Sequence, residues 1–181
     1  MPPLQSDLAR QITKDPYVFD FLTLGNDAQE LELERALVEH LRHFLLELGT
    51  GFAFVGSQYR LEIGDRDFFI DLLFYHLKLR RYIVVDLKTV AFQPEFAGKM
   101  NFYLAAVDDL LRHPDDEPTL GLIICKTKNQ IVAEYALRNL TTPIGISEYA
   151  MAQALPSVLE GSLPTIEELT IELSRSEEEG A

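Results

Sequence analysis

The chain is short of cysteine, of positive charge and of long apolar runs, and each shortage excludes something. One of its 181 residues is a cysteine, Cys125, which has no second thiol to bridge. A disulfide scaffold is therefore excluded, and a reducing compartment, the cytoplasm, is expected. No apolar run reaches the roughly 18 residues of a membrane span, and MPPLQSDLAR lacks the apolar core of a signal peptide, so no membrane partner is expected. Ten glycines and nine prolines are too few for a collagen-like or low-complexity chain. Sixteen Lys+Arg stand against 29 Asp+Glu, a net charge of −13. That balance argues against a nucleic-acid binder of the usual basic kind.

What is present changes the last point. Residues 1–51 hold 4 bases and 9 acids, and residues 151–181 hold 1 and 7. Residues 108–150 hold 4 and 7, but residues 52–107 hold 7 and 6, a net charge of +1. The acid lies mainly towards the ends. With 47% hydrophobic residues the chain can bury the core of one domain.

Residues 1–27 have weak periodicity broken by Pro2, Pro3 and Pro16, and read as a lead-in or linker containing the apolar stretch DPYVFDFL. From Glu30 to Leu48, Leu33, Leu37, Leu41, Phe44, Leu45 and Leu48 recur at spacings of three and four, which predicts one amphipathic helix stopped by the GTG at 49–51. GFAFVGSQYRLEI, FFIDLLFYHL and YIVVDLK are rich in β-branched and aromatic residues and are separated by GDRD and KLRR, which predicts three antiparallel strands. TVAFQP reads as a loop. A second helix follows from Glu95 to His113, then a buried strand TLGLIICK, a short helix NQIVAEYALRNL and an extended segment TPIGISEY. A terminal helix is expected beyond Leu163 and a disordered acidic tail over 174–181, leaving 28–173 as the domain. The order α-β-β-β-α-β, with further elements after it, predicts an α/β or α+β fold: a mixed β-sheet flanked by helices on both faces. No internal repeat is visible.

Two carboxylates stand where charge is costly. Asp71 interrupts FFIDLLFYH, and Asp86 interrupts YIVVDLK two residues before Lys88. Strand residues two apart share a face, so Asp86 and Lys88 point the same way. If Asp71 pairs with Asp86, the turn centres between Lys78 and Leu79. If it faces Lys88, the centre lies between Leu79 and Arg80. Both registers bring the three side chains to one face, and a one-residue slip separates them. Opposed carboxylates repel unless a cation or a proton lies between them. With a backbone carbonyl, such as that of Leu87, they suit hard Mg2+ or Mn2+. A cation there would activate water and steady charge on a phosphate, with Lys88 orienting the water or stabilising the phosphate. A buried Asp–Lys ion pair beside a hydrogen-bonded Asp is the purely structural alternative. A two-carboxylate glycosidase leaves Lys88 without a role and needs a wider spacing for inversion.

The pattern ID-x14-D-x-K, read as Asp71, Asp86 and Lys88, is similar to the PD-(D/E)xK nuclease signature, with Ile70 in the place of its Pro. FLLELGTGFAFVGSQYRLEIG, FFIDLLFYHLKLRRYIVVDLKT, AGKMNFYLAAVDDLLRHPDD, GLIICKTKN and EYALRNLTTPIGISEY together resemble the YhcG-like family of PD-(D/E)xK nucleases over roughly residues 15–170. The resemblance implies a restriction-endonuclease-like core and a metal-dependent phosphodiesterase acting on DNA, with RNA as the lesser alternative. Family members usually carry a helical domain before this one, so a partner supplying such a nucleic-acid-engaging piece is expected. Many nucleases of this fold also cut two strands with two subunits, which makes a homodimer an expectation. Ser57 stands where an Arg is expected in VGxQY, and Gln93 where a basic residue is common before Pro94.

Enzymes of this fold often take a further acid from the first helix. Glu34 and Glu39 are the candidates, Glu34 favoured, and a solvated helix face is the plain alternative for both. Gln58 flanks the site on the first hairpin and could orient a water or a phosphate, with edge-strand packing as the equal alternative. Lys99 and Tyr103, one helical turn apart, could touch a phosphate, or Tyr103 could be plain core. Lys126 and Lys128 could track a backbone or be solvated. His40 reads as a core histidine, His76 points away from Asp71, and His113 marks a helix end. Two functions follow: a Mg2+- or Mn2+-dependent nuclease, or a catalytically silent module of the same fold used for protein assembly.

Overall fold

A computed structural model of the protein describes residues 14–19 and 29–150. The elements are β1 (Tyr17–Val18), α1 (Glu30–Glu39), α2 (Leu41–Leu48), β2 (Phe52–Ile63), β3 (Arg66–His76), β4 (Arg81–Ala91), α3 (Pro94–Leu110), β5 (Leu120–Thr127), α4 (Gln130–Leu137) and β6 (Ile144–Ala150). The expected helix beyond Leu163 and the tail at 174–181 lie outside the described residues.

The six strands form one sheet in the order β1-β6-β5-β4-β3-β2. β2, β3 and β4 pair antiparallel, as short turns require, while β4, β5, β6 and β1 run parallel. The sheet is therefore mixed, as expected. Leu72 pairs with Val85 and His76 with Arg81, so the hairpin takes the register that opposes Asp71 to Asp86.

Three details differ from the expectation. The helix predicted over 30–48 is two helices, because His40 leaves the helical region at φ −102° and ψ 38°. On either side of that break Leu33, Leu37, Phe44 and Leu48 enter the same core, so each half follows the sheet surface. TVAFQP is not a loop throughout: β4 continues to Ala91, where Ala91 pairs with Thr127 and the Phe92 N–H donates to the Thr127 carbonyl. The β-branched Thr89 and Val90 favour that extension beside a partner strand. Within the stretch read as a lead-in, Tyr17 and Val18 add a strand to β6, and Tyr17 and Phe19 are fully buried.

Alternation along the strands divides the core into two layers. Leu72, Phe74, Ile83, Val85 and Leu87 face α1 and α2. Leu73, Val84, Ile123 and Cys125 face α3, which brings Met100, Tyr103, Leu104 and Val107. At Gly121 a Cβ would lie 2.7 Å from Met100 Cγ, so glycine lets α3 approach β5 closely. By parity Asp71, Asp86 and Lys88 belong to the α3 face.

Candidate metal and phosphate site

The site lies where the sheet opens. The β3–β4 ladder ends at Leu72–Val85, and the next pair in that register is Asp71 and Asp86. The Leu87 N–H, which a continued ladder would offer to β3 backbone, donates instead to Asp71 Oδ2 at 2.9 Å. The Asp71 side chain thus takes over a backbone bond where the strands part.

β2 completes a row across three strands. Its register shifts between Phe54 and Gly56, so that Ser57 faces Leu72 and Tyr59 faces Ile70. This bulge puts Gln58 opposite Asp71; without it Ser57 would stand there. Gln58 itself has φ +44°, in the left-handed region uncommon for a side-chain-bearing residue. Its Nε2 donates to Glu34 Oε2 at 2.5 Å and to Asp71 Oδ1 at 3.3 Å.

α1 supplies two acids one turn apart. Glu34 is 5% exposed, so the solvated-face alternative fails for it, whereas Glu39 is exposed. Glu30 was not anticipated: its Oε2 lies 3.5 Å from Lys88 Nζ. Its i, i+4 spacing to Glu34 was the available signal. Lys88 Nζ is also 3.8 Å from Asp86 Oδ1 and 5.0 Å from the Phe96 ring centre. Lys88 is therefore a buried ammonium held between two carboxylates and an aromatic face.

Asp86 is 4% exposed, and its Oδ2 is buried with no hydrogen-bond partner. Burial pushes its carboxyl well above the ordinary range, the adjacent Asp71 adds to this, and Lys88 and Lys99 oppose it. Burial also raises Glu34, offset in part by the Gln58 amide and reinforced by Asp71. Tyr103 is buried beneath the site, and burial and the charges of Asp86 and Asp71 raise its phenol. Lys99 is exposed and places its Nζ 5.6 Å from the Tyr103 ring centre. Cys125, opposite Lys88 on β5, is pushed up to about 12, chiefly by burial, and so is no nucleophile.

Other candidates fall away from this cluster. Lys128 is neither solvated nor free to track a backbone, since it bonds the Asp15 carboxylate and the Ile146 carbonyl. His76 is buried against Phe52 and accepts the Leu79 N–H, away from Asp71 as its parity required. His40 is half-buried rather than a core residue. His113 is exposed beyond the end of α3.

The donor set is all oxygen, and the orphaned Asp86 Oδ2 is an acceptor in want of a cation or a proton. Among the described residues no three His, Cys, Asp or Glu side chains gather into a ready-made metal cage. Mg2+ does not require one, because it keeps several waters and takes one or two carboxylates. The residues present fit such an ion, with Asp71 and Asp86 as its holders.

The chain matches the family model for the YhcG PDDEXK nuclease domain over residues 10–164. It belongs to that family. Within the YhcG PDDEXK nuclease domain family, it is 44% identical over 144 residues to the YhcG protein of Escherichia coli (strain K12). That alignment covers 80% of this chain and 38% of the relative, so the chain spans well under half of the relative's length. Among solved structures, the EndoMS-dsDNA2 complex is similar in fold, with a TM-score of 0.50 at 13% identity over 72% of this chain and 48% of that one. A repair endonuclease from Pyrococcus abyssi aligns with a TM-score of 0.46 at 17% identity, over 70% and 48% of the two chains. Membership of the PDDEXK family and the likeness to the EndoMS-dsDNA2 complex agree with the restriction-endonuclease-like α+β fold that the resemblance implied.

Proposed function

We propose that the chain is a metal-dependent nuclease that hydrolyses phosphodiester bonds, of DNA in preference to RNA, with Mg2+ or Mn2+ as cofactor. The observation that carries this reading is the meeting of Asp71, Asp86 and Lys88 at the fork of β3 and β4, with Asp86 Oδ2 buried and unpartnered. Membership of a nuclease domain family supports the same reading.

Asp71 and Asp86 would hold the cation, with the Leu87 carbonyl as a further donor. When bound, the cation supplies a lowered pKa for a coordinated water and stabilises charge on the phosphate. The protein residues supply the rest. Lys88 is kept in place by Glu30, Asp86 and Phe96, and can present its N–H donors to the attacking water or to a phosphate oxygen. Lys99 brings an exposed positive charge close enough to act on Asp86 and suits a phosphate of the bound strand. Tyr103, buried in the α3 layer, lies near enough to both carboxylates for their charge to raise its phenol.

Cleavage of plasmid and single-stranded DNA in Mg2+ or Mn2+ tests the reading. Asp71→Ala and Lys88→Ala should each lower the rate by about 100-fold or more while the protein stays folded. Unchanged cleavage in those variants would remove these residues from the chemistry. A folded wild-type chain that neither cuts nor binds metal would favour the silent assembly module.

A further inference from the structure

The Gln58 side chain stands in an unusual place for an amide. One nitrogen, Nε2, lies within reach of Glu34 Oε2 at 2.5 Å and of Asp71 Oδ1 at 3.3 Å. The two carboxylates come from α1 and β3, Glu34 buried and Asp71 half-buried, and would repel if left facing each other. The backbone is arranged to deliver the amide there. The bulge before Gly56 shifts β2 by one residue to set Gln58 against Asp71, and Gln58 accepts a left-handed φ of +44°. Such conformations cost free energy and cluster at functional positions. The residue is exposed, so its side chain has room to leave.

We infer that Gln58 is a cation surrogate: its amide satisfies the Glu34 and Asp71 carboxylates in the metal-free site, and it must be displaced when an ion held by Asp71 and Asp86 also draws on Glu34. This rests on the metal-dependent reading above. It assigns Gln58 as a positioning residue that stabilises the metal-free site, and Glu34 as the acid released to the metal. An amide donor satisfies each carboxylate with a charge-assisted hydrogen bond, as a cation would, but carries no net charge. The ion therefore wins when present, at an affinity reduced by the bonds it replaces.

The test is calorimetric titration of the full chain with Mn2+, together with thermal melts with and without Mn2+. Wild type is compared with Gln58→Met, which keeps the length but has no amide, and Gln58→Gly, which suits the left-handed backbone. Both variants should bind Mn2+ about tenfold more tightly, the effect of removing one hydrogen bond to a charged group. Both should melt lower than wild type without metal, and the difference should shrink in saturating Mn2+. Unchanged affinity with equal losses in both melts would overturn the inference and leave Gln58 a structural residue. Weaker binding would also overturn it, by showing that the amide holds the carboxylates ready for the ion. No binding by wild type, with Asp71→Ala indistinguishable from it, would instead overturn the metal-dependent reading, and the surrogate role with it.

Discussion

Asp86 bears a burial cost that Lys88, at 3.8 Å, only partly offsets. In the metal-free chain its carboxyl is held up to about 8, against an ordinary value of 3.8. Between those values the folded chain keeps a proton that the unfolded chain has released. Folding then takes up a proton, so stability falls as pH rises through this window. Thermal melts of chelator-treated protein should therefore show a midpoint that drops from pH 5 to pH 8. Asp86→Asn should flatten this dependence, and so should saturating Mn2+ on the wild type. A midpoint that climbs over the same range in the chelated wild type would contradict the account. At this scale Asp71, Asp86 and Lys88 were legible because charge inside an apolar strand is conspicuous. Glu30 was not, since an acid on an amphipathic helix looks the same whether it faces solvent or a lysine. The conformation of Gln58 was likewise hidden, because a left-handed φ leaves no mark in residue type when the residue is not glycine.

Elements turn these residues into a site. The strand periodicities fixed parity, and parity put Asp71, Asp86 and Lys88 on one face. The choice between the two hairpin registers needed the backbone, which sets the turn at residues 77–80 and opposes Asp71 to Asp86. The bulge in β2 had one mark in the sequence, Gly56 inside a strand pattern, but a lone glycine does not show which residue the shift will set against Asp71. The break at His40 was silent, with neither proline nor glycine to announce it. Packing of α3 on β5 is the contact that carries Tyr103 and Lys99 to the site, and it depends on Gly121. Gly121→Ala would press on Met100, which is fully buried, and on Leu104. We expect a loss of about 1–3 kcal/mol in denaturant unfolding. A neutral result would mean that α3 moves away freely and that its approach is not fixed by this glycine.

For the whole molecule the charge balance governs how nucleic acid is met. A net charge of −13 repels a polyanion, and the segment bearing the site carries only +1. Two lysines, Lys88 and Lys99, stand at or beside the paired carboxylates. Binding to DNA by this chain alone should be weak without metal. Its affinity should fall with salt at a log–log slope of about −2, the value for two phosphate contacts. A much steeper slope in fluorescence anisotropy would point to a basic surface outside this site. The central claim is that Asp71, Asp86 and Lys88 form a metal-dependent phosphodiesterase centre. Its most direct test is Mn2+-dependent cleavage of plasmid DNA by the wild type beside Asp86→Asn, a near-isosteric change that also removes the burial cost of a charge. Cleavage by the wild type should be abolished by chelation, and a folded Asp86→Asn protein should be at least about 100-fold slower. Equal cleavage by the two proteins, or cleavage by the wild type that survives chelation, would contradict it.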